Sequence, residues 1–473
     1  MGPLRLNKLR GTPDDRTCYT SGASTIIEQN SLTTLASIAP PDTPRPLAEV
    51  ITQACEIFSS RASVNHRRFF SYIPSPVSPL SFLGDVLTSC FNVFSGSFEA
   101  GPGITAVELS LVTWLAEKIG LRASTAGGIF VSGGSMANLT ALIVARDQKL
   151  NENERAKGVV YISTQTHFCI PKALRIIGFL SSQIRIIPCD GEFRMDVYEL
   201  QKQIMQDLSV GLRPFLVVAT CGSTGTGSID PLGSISGLAS EHNLWMHVDG
   251  SFGVSAALST AHRHLVNGLA RADSIAWDAH KWLFQTYGCG VVLVKEKRHL
   301  RASFASTAEF MQDIDSIVED DKPNLWNYGV ELTRPARHMR LWFSLQVLGA
   351  NVLGDMIDRG FKLAEGAARE IRMLDGWEVV APARMAILNA RYSIKGKSEE
   401  ELNAINASVP GRLIERNVAA ISTTRFGDRV ALRFCMINPL TTDEDVREFV
   451  KEMNAAVKEL AKDGPISNGH RML

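Results

Sequence analysis

The chain runs to 473 residues, enough for two or three domains or for one large domain with appendages. Its 49 Lys and Arg balance 49 Asp and Glu, and the absence of net charge argues against nucleic acid or an anionic membrane surface as a partner. No apolar run approaches the roughly 18 residues that span a bilayer, and the opening MGPLRLNKLRG carries no apolar stretch of a secretory signal.

Residues 1 to about 45 are polar and end in APPDTPRP, which suits neither helix nor strand interior. They are expected to drape over a surface as an arm, ordered against a partner subunit. LAEVITQACEIFSSRA has the three-and-four apolar spacing of a helix, and the Pro-rich FFSYIPSPVSPLSFLGDVL leads into another. From about Gly128 to Lys295 the pattern alternates. GIFVS, GVVYIST, IRIIPC, PFLVVAT, NLWMHVD, SIAWD and GVVLVK read as strands. SMANLTALIVARDQ, DVYELQKQIMQDL and LGSISGLASEHN between them read as helices. Apolar strands alternating with helices predict an α/β fold with a mostly parallel sheet covered by helices. After about Arg337 a long helix, HMRLWFSLQVLGANVLGDMIDRG, precedes a smaller α+β tail with strands near MAILNARYS and RVALRFCMI. The expected organisation is an N-terminal arm and helices over 1–72, a large domain over 73–337 and a small domain over 338–473. Eight cysteines are scattered singly from Cys18 to Cys435 without a CxxC pair, so reduced thiols and a cytoplasmic setting are expected, not a disulfide scaffold or a metal site.

Ligands of open α/β sheets sit beyond the carboxyl ends of the strands. Five such ends carry polar residues: Ser132 to Ser135, His167, Ser223 with Thr224, Asp249, and His280 with Lys281. Each has an ordinary alternative. VSGGSMANLTAL is a phosphate cradle at a helix N-terminus or simply a tight turn. Asp249 is the partner of a cation or a cap. His167 stacks on a planar ring or is a satisfied structural imidazole. Lys281, at the end of an apolar run, is structural or is committed as a Schiff base. Together a phosphate cradle, an anion for a ring nitrogen, a stacking imidazole and a Schiff-base lysine describe pyridoxal 5′-phosphate.

On these residues the chain resembles the group II pyridoxal-phosphate decarboxylases that act on aromatic amino acids, glutamate and cysteine sulfinate. The likeness runs from FFSYIPSPVSPLSFLGDVL to VALRFCMI, and its most specific blocks are HVDGSFG and ADSIAWDAHKWL, similar to the family's HVDAA and NPHKWL. SGGSMANLTAL, THFCIPKA and ATCGSTGTGSIDPL follow in family order. The resemblance implies a fold type I homodimer with active sites at the subunit interface, acting on an L-amino acid through an external aldimine. It implies Lys281 as the lysine linked to the cofactor, Asp249 as the pyridinium partner and His167 as the stacking residue. Gly134, Ser135 and His280 would bind the phosphate, and Thr224 would lie near the ring.

The departures are informative. Asp278-Ala279 stands where the family has Asn-Pro, which adds negative charge beside the cofactor. In the segment RASFASTAEFMQDIDSIVEDDKPNLWNYG, similar to the family's mobile loop, the loop tyrosine falls on Phe310. A tyrosine hydroxyl can return a proton to the α-carbon after CO2 leaves, giving an amine. Phenylalanine has no such proton, so the carbanion is left to O2 and the expected products are an aldehyde, ammonia and hydrogen peroxide. Family members with Phe here behave as aldehyde synthases. A plain decarboxylase, with Tyr328 or another group as donor, is the alternative. An aminotransferase, a carbon–carbon bond-forming enzyme or an inactive homologue on the same fold is a more distant one. Arg433 meets a substrate carboxylate or is a structural partner.

Overall fold

A computed structural model describes residues 39–59, 61–305 and 322–463. They fall into two compact units. One lies within Ser75–Glu365 and Ala381–Leu388, the other within Met1–Pro74, Gly366–Val380 and Asn389–Leu473.

The first unit opens with two helices, α1 (Pro79–Phe91) and α2 (Pro102–Lys118). It then alternates strand and helix: β1 (Gly127–Val131), α3 (Gly134–Lys149), β2 (Gly158–Ser163), α4 (Cys169–Ile176), β3 (Ile184–Ile187), α5 (Val197–Ser209), β4 (Arg213–Thr220), α6 (Leu232–Glu241), β5 (Trp245–Asp249), β6 (Ser274–Asp278) and β7 (Gly290–Val294). Seven strands form one sheet in the order β1-β7-β6-β5-β4-β2-β3. β7 alone runs against the rest, so the mostly parallel sheet read from the sequence is present. β1, β2, β5, β6 and β7 are buried at every residue, as strands covered on both faces must be. Helix α3 presents Ala137, Ala141 and Ala145, whose small side chains let it lie close on Ile129, Ala276 and Val292 of the sheet.

Edge strand β1 would leave the backbone groups of Phe130 without strand partners on its outer side. A buried ion pair supplies them. Glu108 Oε1 accepts the Phe130 N–H at 2.8 Å, and Arg334 Nη2 donates to the Phe130 carbonyl at 2.9 Å and to Glu108 at 2.6 Å. Burial alone would raise the Glu108 carboxyl, yet Arg334 and His338 hold it well below the usual carboxylate range.

The unit continues through α7 (Arg298–Phe304), α8 (Met339–Leu348) and the first part of α9 (Ala350–Arg372). The sequence pattern predicts one long helix over these last two. The structure corrects it: Gly349 takes φ 78°, a left-handed conformation that breaks the helix and that glycine tolerates without a Cβ clash.

In the second unit a helix over Leu47–Ser59 precedes the small sheet, β8 (Trp377–Arg384), β9 (Ile387–Tyr392), β10 (Ser422–Phe426) and β11 (Arg429–Cys435), in the order β10-β11-β9-β8. Helices α10 (Glu399–Glu415) and α11 (Asp443–Asp463) complete it. The expected strands at MAILNARYS and RVALRFCMI are β9 and β11; β8 and β10 were not expected. Arg433 donates from Nη1 to the Tyr72 carbonyl at 2.6 Å, which favours the structural alternative for this residue. The arm expected over residues 1 to about 45 lies largely outside the described residues. Among the described residues no helix is long and apolar enough to cross a membrane, and no three His, Cys, Asp or Glu side chains are placed to hold a metal ion.

Candidate active site

The polar residues singled out at the strand ends gather around one cavity of about 500 Å³ in the first unit. Ser132 to Ser135, His167, Thr224, Asp249, His280 and Lys281 all line it, and Ser223 does not.

After β1 the chain turns at Gly133, with φ 152°, and enters α3 at Gly134. A Cβ on Gly133 would meet His280 Cε1 at 2.9 Å, and one on Gly134 would lie 2.6 Å from both Asp278 Oδ2 and Ser251 Oγ. Both positions therefore exclude a side chain, and the turn packs directly on the residues beneath it. The N-terminus of a 16-residue helix, with exposed Ser135 in its first turn, opens onto the cavity.

Asp249 ends β5 and is 7% exposed. Its Oδ1 accepts the Ser251 hydroxyl at 2.7 Å and the Ser251 N–H at 3.3 Å. Burial alone would raise this carboxyl, but the Lys281 ammonium and the Ser251 hydroxyl outweigh it and hold it below its ordinary value. The service of Ser251 to Asp249 is a product of the turn after β5.

His167 follows β2 and is half-buried. Its Nδ1 accepts the Cys169 N–H at 3.3 Å, which leaves the proton of the neutral ring on Nε2. Burial lowers its pKa, with Asp249 acting in the opposite direction, so the ring favours the neutral form. Nδ1–H of His280 donates to the Cys289 carbonyl at 3.1 Å; burial lowers this imidazole too, against the pull of Asp278.

Lys281 closes the site. Its Nζ lies 3.1 Å from Asp278 Oδ2, and its side chain keeps 26% of its exposure. Gln165, Met136, Phe252 and Tyr287 also line the cavity; the sequence carries no signal for them. Phe310 lies outside the described residues. Tyr328 packs against the sheet core and does not line the cavity.

The donor set can be tested against a phosphorylated pyridine aldehyde. A turn that a Cβ would obstruct offers close backbone approach at a helix N-terminus. A carboxylate held ionised suits a ring nitrogen, a neutral imidazole suits a ring face, and a half-shielded lysine suits the aldehyde. The residues fit.

A family model described as the pyridoxal-dependent decarboxylase conserved domain matches residues 30–393. An aromatic-L-amino-acid decarboxylase of Bacillus atrophaeus is 38% identical over 410 residues, covering 86% of this chain and 85% of the relative. A phenylacetaldehyde synthase of Arabidopsis thaliana is 28% identical over 433 residues, covering 87% of this chain and 86% of that protein. The crystal structure of Oryza sativa TDC with PLP and tryptamine matches with a TM-score of 0.86 at 26% identity, over 92% of each chain.

Proposed function

The chain belongs to the pyridoxal-dependent decarboxylase family, and on that premise we propose that it removes CO2 from an aromatic L-amino acid, with Phe310 directing the reaction to an aldehyde. Its cofactor is pyridoxal 5′-phosphate and its fold is fold type I. The observation that carries the reading is the convergence of Lys281, Asp249, His167 and the Gly133–Gly134 turn on one cavity.

When bound, the cofactor supplies an electron sink for the charge left at the α-carbon as CO2 departs. Lys281 anchors it through Nζ. The ionised Asp249 keeps a proton on the ring nitrogen, since an adjacent buried carboxylate favours the cationic form. Neutral His167 would offer its ring to a cofactor face and has Nε2–H to donate. Gly134, Ser135 and His280 would hold the phosphate at the head of α3, and Thr224 would face the ring. The described cavity lining contains no arginine, which disfavours an acidic substrate side chain; the Bacillus relative supports an aromatic one.

The outcome turns on the proton at the α-carbon. With no hydroxyl at position 310 the carbon reacts with O2. The amino acid, O2 and water then give aldehyde, CO2, ammonia and hydrogen peroxide, in equal amounts. The Arabidopsis relative supports this reading; the Bacillus relative favours the second, reprotonation to an amine. We further read the protein as a homodimer. Phe82, Leu83, Val86, Leu87 and Phe91 of α1 are exposed, Phe91 at 75%, an apolar face that a second copy of the chain would cover.

The test is to incubate the cofactor-loaded protein with aromatic L-amino acids in air and to assay CO2 and peroxide together. Peroxide equal to CO2, replaced by amine in Phe310→Tyr, supports the reading. CO2 without peroxide refutes the role of Phe310, and no CO2 from any amino acid refutes decarboxylation.

A further inference from the structure

Asp278 is the departure in the lysine block, an acid where the family carries an amide. It ends β6 and is 1% exposed. A carboxylate so buried is costly unless a cation faces it. The cation is Lys281, whose Nζ is 3.1 Å from Oδ2. His280 Nε2 is further off, at 3.7 Å. Oδ1 is buried and has no hydrogen-bond partner among the described residues.

The carboxylate fills the space beside two glycines. A Cβ on Gly290 would lie 2.6 Å from Oδ1, and one on Gly134 the same distance from Oδ2. Neither glycine could carry a side chain without displacing this carboxylate, which packs directly on both. The other acid of the cavity, Asp249, has one oxygen engaged by Ser251. Both carboxylates act on Lys281, Asp278 in ion-pair contact and Asp249 through its charge alone.

The charged and titratable groups around Lys281 come from four elements: Asp278 at the end of β6, Asp249 at the end of β5, His167 and Cys169 at the head of α4, and His280 beside the lysine itself. Burial alone would lower the Lys281 ammonium; Asp278 first and Asp249 second outweigh it and leave its pKa above the ordinary value. His167 and His280 are both pushed toward neutrality by burial, and burial pushes the Cys169 thiol up to about 12, so none of the three supplies a competing charge near neutral pH.

We propose that Asp278 is the counter-ion that keeps the Lys281 nitrogen protonated, both as the free lysine and when that nitrogen carries the cofactor. The proposal rests on Lys281 being the cofactor-bearing lysine. Asp278 thereby leaves Asp249 to the ring nitrogen. The side chain of Asn, of the same shape and neutral, removes the charge without opening a cavity.

The experiment follows the visible absorbance of the cofactor-loaded protein against pH, in the wild type, Asp278→Asn and Lys281→Ala. A unit charge at this distance shifts a partner's protonation by about one pH unit or more, so the midpoint in Asp278→Asn is expected to fall by at least that much. An unchanged midpoint, with Lys281→Ala losing the band, overturns the counter-ion and leaves the lysine assignment intact. A band retained in Lys281→Ala overturns both. Should Asp278→Asn fail to fold, the wild type still decides. In cofactor-stripped protein, the acylation rate of Lys281 against pH is compared with that of exposed lysines by peptide mass spectrometry. A Lys281 midpoint at or above theirs supports the proposal, and one below theirs overturns it.

Discussion

His247, fully buried on β5 two residues before Asp249, makes a sharp test of how the site is braced. Its Nε2 lies 2.7 Å from Asn138 Oδ1 and its Nδ1 2.9 Å from Ser274 Oγ. Asn138 turns its Nδ2 toward Cys169 Sγ, and Ser274 Oγ accepts the Trp245 indole N–H at 2.8 Å. Nε2–H gives to Asn138 Oδ1, and in the neutral ring, which burial favours, Nδ1 accepts from the Ser274 hydroxyl. The network joins β5, β6, α3 and α4, which carry Asp249, Asp278, Ser135 and, just ahead of α4, His167. Burial pushes the imidazole down to about 4, with Asp249 opposing. An unfolded histidine titrates near 6.5, so as the pH falls from about 6.5 to about 4 the open state takes up a proton that the folded state refuses, and stability is lost. The full loss is about 3 kcal/mol, of which roughly 2 kcal/mol is spent by about pH 4.5. Asp230 acts with the opposite sign: burial pushes its carboxyl up to about 6, so its protonation adds stability on acidification below that pH. The whole-protein pH profile mixes the two, and a comparison with His247→Gln separates them. The amide of Gln can give to Asn138 and accept from Ser274 without titrating. Hydrogen exchange of peptides covering 245–249, corrected for intrinsic rates, gives the local opening free energy in the cofactor-loaded protein. The wild type is expected to lose roughly 2 kcal/mol more protection than the variant between about pH 7 and about pH 4.5. Parallel losses would refute the reasoning.

Two further outcomes are expected. Asp249→Ala removes the anion proposed for the ring nitrogen, so the cofactor should bind weakly and turnover fall about a hundredfold or more, each tenfold being about 1.36 kcal/mol of barrier; a rate within a few-fold of the wild type would contradict the electron-sink role. Light scattering after size exclusion should give twice the 51.7 kDa chain mass, and Phe91→Lys on the exposed face of α1 should lower it; a wild-type mass of one chain would contradict the homodimer.

What the sequence made legible follows from where burial is expensive. The sheet strands are covered on both faces, so they appear as continuous apolar runs, and their order of alternation with helices dictates the sheet class. Asp249 and Lys281 were visible because a charge at the end of such a run demands an explanation. β8 and β10 escaped notice because they are mostly half-buried and mix polar with apolar residues. Gly349 sits within an unbroken helical period, and only its backbone angle ends the helix there.

The same reasoning explains why Asp278 was noticed but not understood. Its identity was plain, while its meaning depends on three residues of separation folding back so that Lys281 meets it, and on Gly134 at the head of α3 and Gly290 on β7 packing against it. The His247 network is harder still, since Asn138 and His247 are 109 residues apart and neither is unusual in its local pattern. A sequence reading thus finds groups whose burial would be costly if unpartnered, and misses those whose cost a distant partner has already cancelled. In this protein the first kind line the candidate site and the second kind brace it. Asp278 belongs to both kinds: conspicuous as a charge, and silent about its partner until the chain is folded.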